Sequence, residues 1–114
     1  RPFQAVCLYG LEVIEALQAE GHPIQAGSVG ENVTVAGLDW ASLRPGARLS
    51  LGDDLRIELS SYAIPCTKNA RWFVDGDFRR MAQDRHPGWS RLYGTVVRPG
   101  TVRPGDAVVV EPER

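Results

Sequence analysis

Cysteine is scarce in this chain of 114 residues: Cys7 and Cys66 are its only two, and they lie far apart. That argues against a secreted fold stapled by disulfides. Without a CxxC or a Cys/His cluster, it also argues against structural zinc. A reducing, cytoplasmic compartment is expected. No run of about 18 apolar residues is present to span a bilayer. Charge of one sign is lacking too: 13 Lys and Arg face 14 Asp and Glu, a net charge of -1. No global field therefore draws the chain to nucleic acid or membrane. Neither GxGxxG nor a P-loop is found for a nucleotide. A signal peptide is absent, and so is an initiator Met. The chain opens on Arg1-Pro2-Phe3-Gln4, from which an upstream segment is expected.

What is present suits one globular domain. A chain of this size buries roughly 60–70% of its unfolded surface without staples. Residues 4–9 read as a strand and 11–20, LEVIEALQAE, as a helix. Leu11, Val13, Ile14 and Leu17 form its apolar stripe, Glu12 and Glu15 suit its first half, and Gly21 and Pro23 stop it. Asn32–Val35 is a short strand and "DWASLRPG" a helical turn. "ARLSLG" and "LRIELSSYAI" form a hairpin about Gly52-Asp53-Asp54, with Leu55, Ile57 and Leu59 alternating against Arg56, Glu58 and Ser60. Residues 75–85 predict a second, weaker helix. "RLYGTVVRPG" and "DAVVVEP" are the last strands. Short strands with Pro-Gly turns and two helices predict a mainly β, barrel-like α+β domain. No strand–helix alternation suggests a parallel sheet.

Three features could carry chemistry. In "SYAIPCTKNAR" the strand is expected to end at Pro65, delivering Cys66 to a sheet edge or barrel mouth, with Lys68 and Arg71 close behind. A nearby cation favours thiolate, the form that attacks and that binds soft metals. The plain alternative is an idle cysteine. In "SVGENVT", Gly27 and Gly30 allow a tight loop whose N–H groups can face an anion, and Asn32 can donate and accept. The plain alternative is a glycine loop entering a strand. Arg91, Arg98 and Arg103 are the third, with Arg91 and Tyr93 expected on one strand face; solvated arginines are the alternative. Cys7, in an apolar run, reads as a small core hydrophobe. His22 and His86 read as surface residues without partners.

Taken in order, "AVCLYGLEVIEALQAEGHPI", "GSVGENVTVAGLDW", "LRPGARLSLGDDLRIELSSYAIPC" and "GWSRLYGTVVRPGTVRPGD" resemble the MOSC domain, named for the C-terminal domain of molybdenum cofactor sulfurase. The pairing of Gly30-Glu31-Asn32 with a later Pro65-Cys66 is the specific part. The likeness is to the small stand-alone bacterial members, with the amidoxime-reducing proteins more distant. It implies a barrel similar to the β-barrel domain of pyruvate kinase. It implies that Cys66 matches the family's cysteine, catalytic and a molybdenum ligand in reductase members and a proposed sulfur carrier in sulfurase-type ones. The cofactor implied is molybdopterin-bound molybdenum. Gly30, Glu31 and Asn32 would lie beside it, with Lys68 and Arg91 as weaker contacts to the pterin phosphate. Members usually carry further strands upstream, ending in a His-Gly-Gly-type stretch. The expectation is one MOSC domain over residues 1–114 that lacks those strands.

Three functions follow from the resemblance. One is a molybdenum-dependent reductase of N-hydroxylated compounds, fed by a separate electron-donating reductase. Another is a sulfur carrier loaded at Cys66 by a cysteine desulfurase. The third is a cofactor-binding module without chemistry. The substrate and the oligomeric state stay open.

Overall fold

Alternation of apolar and polar residues builds the sheet. The computed structural model describes residues 5–112. The strands are β1 (Ala5–Gly10), β2 (Val33–Val35), β3 (Arg48–Leu51), β4 (Leu55–Tyr62), β5 (Leu92–Arg98) and β6 (Val108–Val110). They form one sheet in the order β2-β1-β5-β4-β3-β6, curled into a nearly closed barrel. All neighbours are antiparallel except β1 and β2. In β3 and β4, Leu49 stands opposite Ile57. Leu49, Leu51, Ile57 and Leu59 are all buried, so a one-residue slip would turn this whole set to solvent. Register shifts at Arg56/Ile57 and Leu59/Ser61 interrupt β4; such bulges bend and twist a strand. Beside them Gly94 lets β5 close in. A Cβ there would meet Ile57 Cγ2 at 2.4 Å.

The helix α1 (Leu11–Ala19) forms as its stripe predicts, burying Val13, Ile14 and Leu17. Gly21, at φ 99°, takes the left-handed turn that ends it. Together β1, α1 and β2 make a single strand–helix–strand unit with parallel strands. That unit departs from the expectation of no such succession, because β2 is too short and lightly patterned to announce its partner. Residue 4 of the expected first strand lies outside the described residues. Strand β2 begins at Val33, so Asn32 stands just before it, and β4 stops at Tyr62, short of Ile64.

The second helix is not α-helical. Residues 67–81 instead form three short 3₁₀ pieces: Thr67–Trp72, Val74–Gly76 and Phe78–Met81. Asp75 sits at φ 56° and Gly76 at φ 68°, which no α-helix accommodates. Over 75–85, where the helix is expected, the apolar side chains that turn inward are Phe78, Met81 and Ala82, barely one helical turn of stripe. It is held by side chains. Arg80 binds Glu20 through two nitrogens, at 2.8 and 2.6 Å, and lies over the Trp89 ring. His86 stacks on Trp89 with centroids 3.9 Å apart. His22 accepts the Val74 N–H at 3.0 Å, sits 3.3 Å from Glu20 and packs on Phe73. Neither histidine is the unpartnered surface residue expected: His22 ties the end of α1 to this segment, and His86 packs within it on Arg80 and Trp89.

Candidate functional site

Past the end of β4 the chain runs through Ala63, Ile64 and Pro65 to Cys66 without regular structure. Cys66 is extended, at φ -125° and ψ 161°, and is the N-terminal flank of the Thr67–Trp72 turn. Its carbonyl accepts the Asn69 N–H at 2.9 Å. The thiol is free and exposed, whereas Cys7 is free and buried. Ile64, two residues before it, is 85% exposed. Lys68 and Arg71 are exposed on the following turn. At 3₁₀ spacing they eclipse, so both project from one face. Neither has an ion pair among the described residues.

The glycine loop is built from inside. Gly27 and Gly30 take φ 86° and 82°, conformations that cost other residues strain. The Glu31 carboxylate is buried beneath them. Its Oε2 accepts the Gly27 N–H at 2.9 Å and the Thr34 hydroxyl at 3.1 Å. Its Oε1 is buried with no partner among the described residues, an acceptor left open where nearly all such atoms are satisfied. Asn32 extends the β1–β2 pairing by one step. Its N–H donates to the Cys7 carbonyl at 2.7 Å, and its Oδ1 accepts the Cys7 N–H at 2.8 Å. The rest of Asn32 is exposed.

Arg91 joins the two motifs. It precedes β5 rather than lying in it and is only 7% exposed, while Tyr93 is 38% exposed. The expected pairing of Arg91 and Tyr93 on one strand face therefore does not form; the ladder begins one residue too late. The guanidinium donates to the Val29 carbonyl at 3.0 Å and to the Ile64 carbonyl at 3.3 Å. One fork thus holds the residue before Gly30 and the residue before Pro65. Gly30, Glu31 and Asn32 are linked in this way to the approach to Cys66. Lys68 and Arg91, expected together, differ: one is exposed, the other buried. Arg98 pairs at the surface with Asp54 at 3.3 Å, away from this cluster.

Cys7 was legible as buried but not as part of this cluster. Burial pushes its thiol up from the usual range. The Arg91 guanidinium pulls it back, and the Glu31 carboxylate pushes with burial. The same burial raises the Tyr9 hydroxyl. The available signal was position alone, since Cys7 stands one strand-register step before the Leu8–Val33 pair. No group of three His, Cys, Asp or Glu among the described residues could hold a bare metal ion. A cleft of about 880 Å³ lies elsewhere, lined by Asp39, Leu43, Arg44, Arg48, Val110 and Glu111 among others. It contains none of the site residues and no thiol, so the chemistry favours the Cys66 side despite the cleft's size.

A sequence model of the MOSC domain matches residues 1–109. The fold is similar to that of YiiM from Geobacillus stearothermophilus, with 26% identity and a TM-score of 0.73 over 94% of this chain and 54% of that one. It is also similar to YiiM from Escherichia coli, with 24% identity and a TM-score of 0.69 over 96% of this chain and 55% of that one. The chain spans about half the length of these proteins. No protein of curated function matches it.

Proposed function

The chain belongs to the MOSC domain family, and from that premise we propose that it binds the molybdenum cofactor and reduces N-hydroxylated compounds. Cys66 is the thiolate ligand in this reading. The observation that carries it is the donor set. One thiol is exposed, and among the described residues it belongs to no group of three His, Cys, Asp or Glu side chains that could hold a bare metal ion. Such a site suits a metal that brings its other ligands with it, as a pterin dithiolene does. The unpartnered Glu31 Oε1 suits an N–H donor on the pterin. Lys68, on the exposed turn, suits its phosphate; the glycine loop does not supply the expected anion cradle, because the Gly27, Ser28 and Gly30 N–H groups donate to Glu31, Gln25 and Gly27 within the loop. Arg91 adds a fixed positive charge from beneath, and Asn32 offers its exposed amide.

When bound, the cofactor supplies the two-electron chemistry that cleaves the N–O bond. Two electrons and two protons enter; the reduced nitrogen compound and water leave. The chain's own residues bind and orient. Cys66 anchors at an exposed position, so substrate approaches from solvent. A separate reductase delivers the electrons, and a cytoplasmic setting fits a free thiol. No helix among the described residues is long and apolar enough to cross a membrane.

The exposure of Cys66 also favours a second reading: a persulfide carrier that a cysteine desulfurase can reach. Cys66→Ser separates the two. Reduction of an amidoxime or an N-hydroxylated purine by full-length protein with an electron donor should fall to background in Cys66→Ser, because a hydroxyl is a harder and far less acidic donor. Turnover that persists undiminished refutes the ligand assignment. A parent without turnover that accepts sulfur on Cys66 establishes the carrier.

A further inference from the structure

Arg91 is a buried cation with no carboxylate within ion-pair distance among the described residues. Burying a guanidinium is costly unless its donors are satisfied. Here the donors go to two backbone carbonyls, Val29 and Ile64, 62 and 27 residues away in sequence. Neither belongs to a strand or helix.

The base of Arg91 is anchored as firmly as its tip. Its carbonyl accepts the Ala63 N–H at 3.0 Å and the Ser90 hydroxyl at 2.7 Å. The Ser90 carbonyl accepts the Trp40 indole N–H at 2.8 Å, and the Trp89 carbonyl accepts the Tyr9 hydroxyl. Residues 89–91 are thus a post fixed to the core, and Arg91 is the arm on it. The approach to Cys66 has little else. Ala63 is buried and its carbonyl accepts the Ser90 hydroxyl at 3.3 Å, but beyond it Ile64 points to solvent and does not pack the chain down. The glycine loop is also held by the buried Val29 side chain, by short turn bonds and by Glu31.

We propose that Arg91 is a positioning residue that sets the distance and orientation between the Gly30–Asn32 loop and Pro65–Cys66, acting through the Val29 and Ile64 carbonyls. The role holds whichever chemistry Cys66 performs. A rigid planar fork can hold two acceptors at fixed spacing; a lysine ammonium offers no such fork.

The test measures that spacing. Nitroxide labels on Cys66 and on an Ala26→Cys substitution report the distance by pulsed electron resonance. We expect a narrow distribution with Arg91 present. It should broaden at least twofold in Arg91→Met and by an intermediate amount in Arg91→Lys, and added guanidinium should narrow it again in Arg91→Ala. A second readout separates lost positioning from lost folding. In a folded Arg91→Met protein the Cys7 thiol should titrate still higher, because the cation that opposes burial is gone. A loosened protein would let it fall to the ordinary range. Parent-like distributions in Arg91→Met overturn the proposal. If Arg91→Met does not fold, a parent-like distribution in folded Arg91→Lys overturns it, and a broadened one supports it.

Discussion

The β3–β4–β5 region and the segment from Ala63 to Arg91 solve the same problem by different means. In the first, backbone ladders satisfy the polar groups while Leu49, Leu51, Ile57 and Leu59 fill the interior. Side chains at its surface pair loosely, as Arg48 does with Glu58 at 2.9 Å with both largely exposed. In the second, ladders are missing, and side chains reach to backbone or to one another: Arg91 to Val29 and Ile64, His22 to Val74, Arg80 to Glu20. The lesson is a division of labour. Burial holds the frame, while individual polar bonds place the candidate site upon it.

That contrast can be broken most severely in the frame. Leu59 is 1% exposed and lies between the two β4 irregularities. Leu59→Ala should cost about 2–5 kcal/mol, seen as a large fall in denaturation midpoint with the cooperativity retained. A loss below about 1 kcal/mol would mean that the frame does not rest on burial at this point.

A smaller effect sharpens the other side. Hydrogen bonding to Arg80 is the main influence holding the Glu20 carboxyl below its usual range. A depressed carboxyl contributes stability that is fully present above its unfolded value, roughly pH 4.3, and lost as pH falls through its folded value. Both partners are about one-third exposed, at 32% and 34%, so solvent screens the pair. Arg80→Gln should cost about 0.2–1 kcal/mol near neutrality and progressively less in acid. Denaturant midpoints of parent and variant across pH check this, and a difference that grows in acid contradicts it.

The same contrast explains what could be read from the sequence. Strict alternation in residues 55–59 and helical spacing in 11–19 gave the frame, because burial imposes those periods. The glycine loop and Cys66 could be singled out by residue type, and the MOSC resemblance extended to the whole chain. What joins them could not be seen in this way. Arg91 binds carbonyls, which any residue supplies, so neither Val29 nor Ile64 carries a mark. Residues 75–85 predict a helix because their local propensity is ordinary, whereas their shape depends on Glu20, Trp89 and a left-handed Asp75. His22 and His86 read as surface residues for the same reason: their partners lie 52 residues away in one case and on a stacked indole in the other.

In the proposed function Cys66 holds molybdenum. The most direct measurement is the molybdenum content of full-length protein, purified from a host that makes the cofactor, for the parent, Cys7→Ser and Cys66→Ser. Stoichiometric metal is expected in the parent, metal retained in Cys7→Ser, and metal lost from a Cys66→Ser protein that unfolds at the parent's midpoint. Molybdenum bound equally by Cys66→Ser would contradict it.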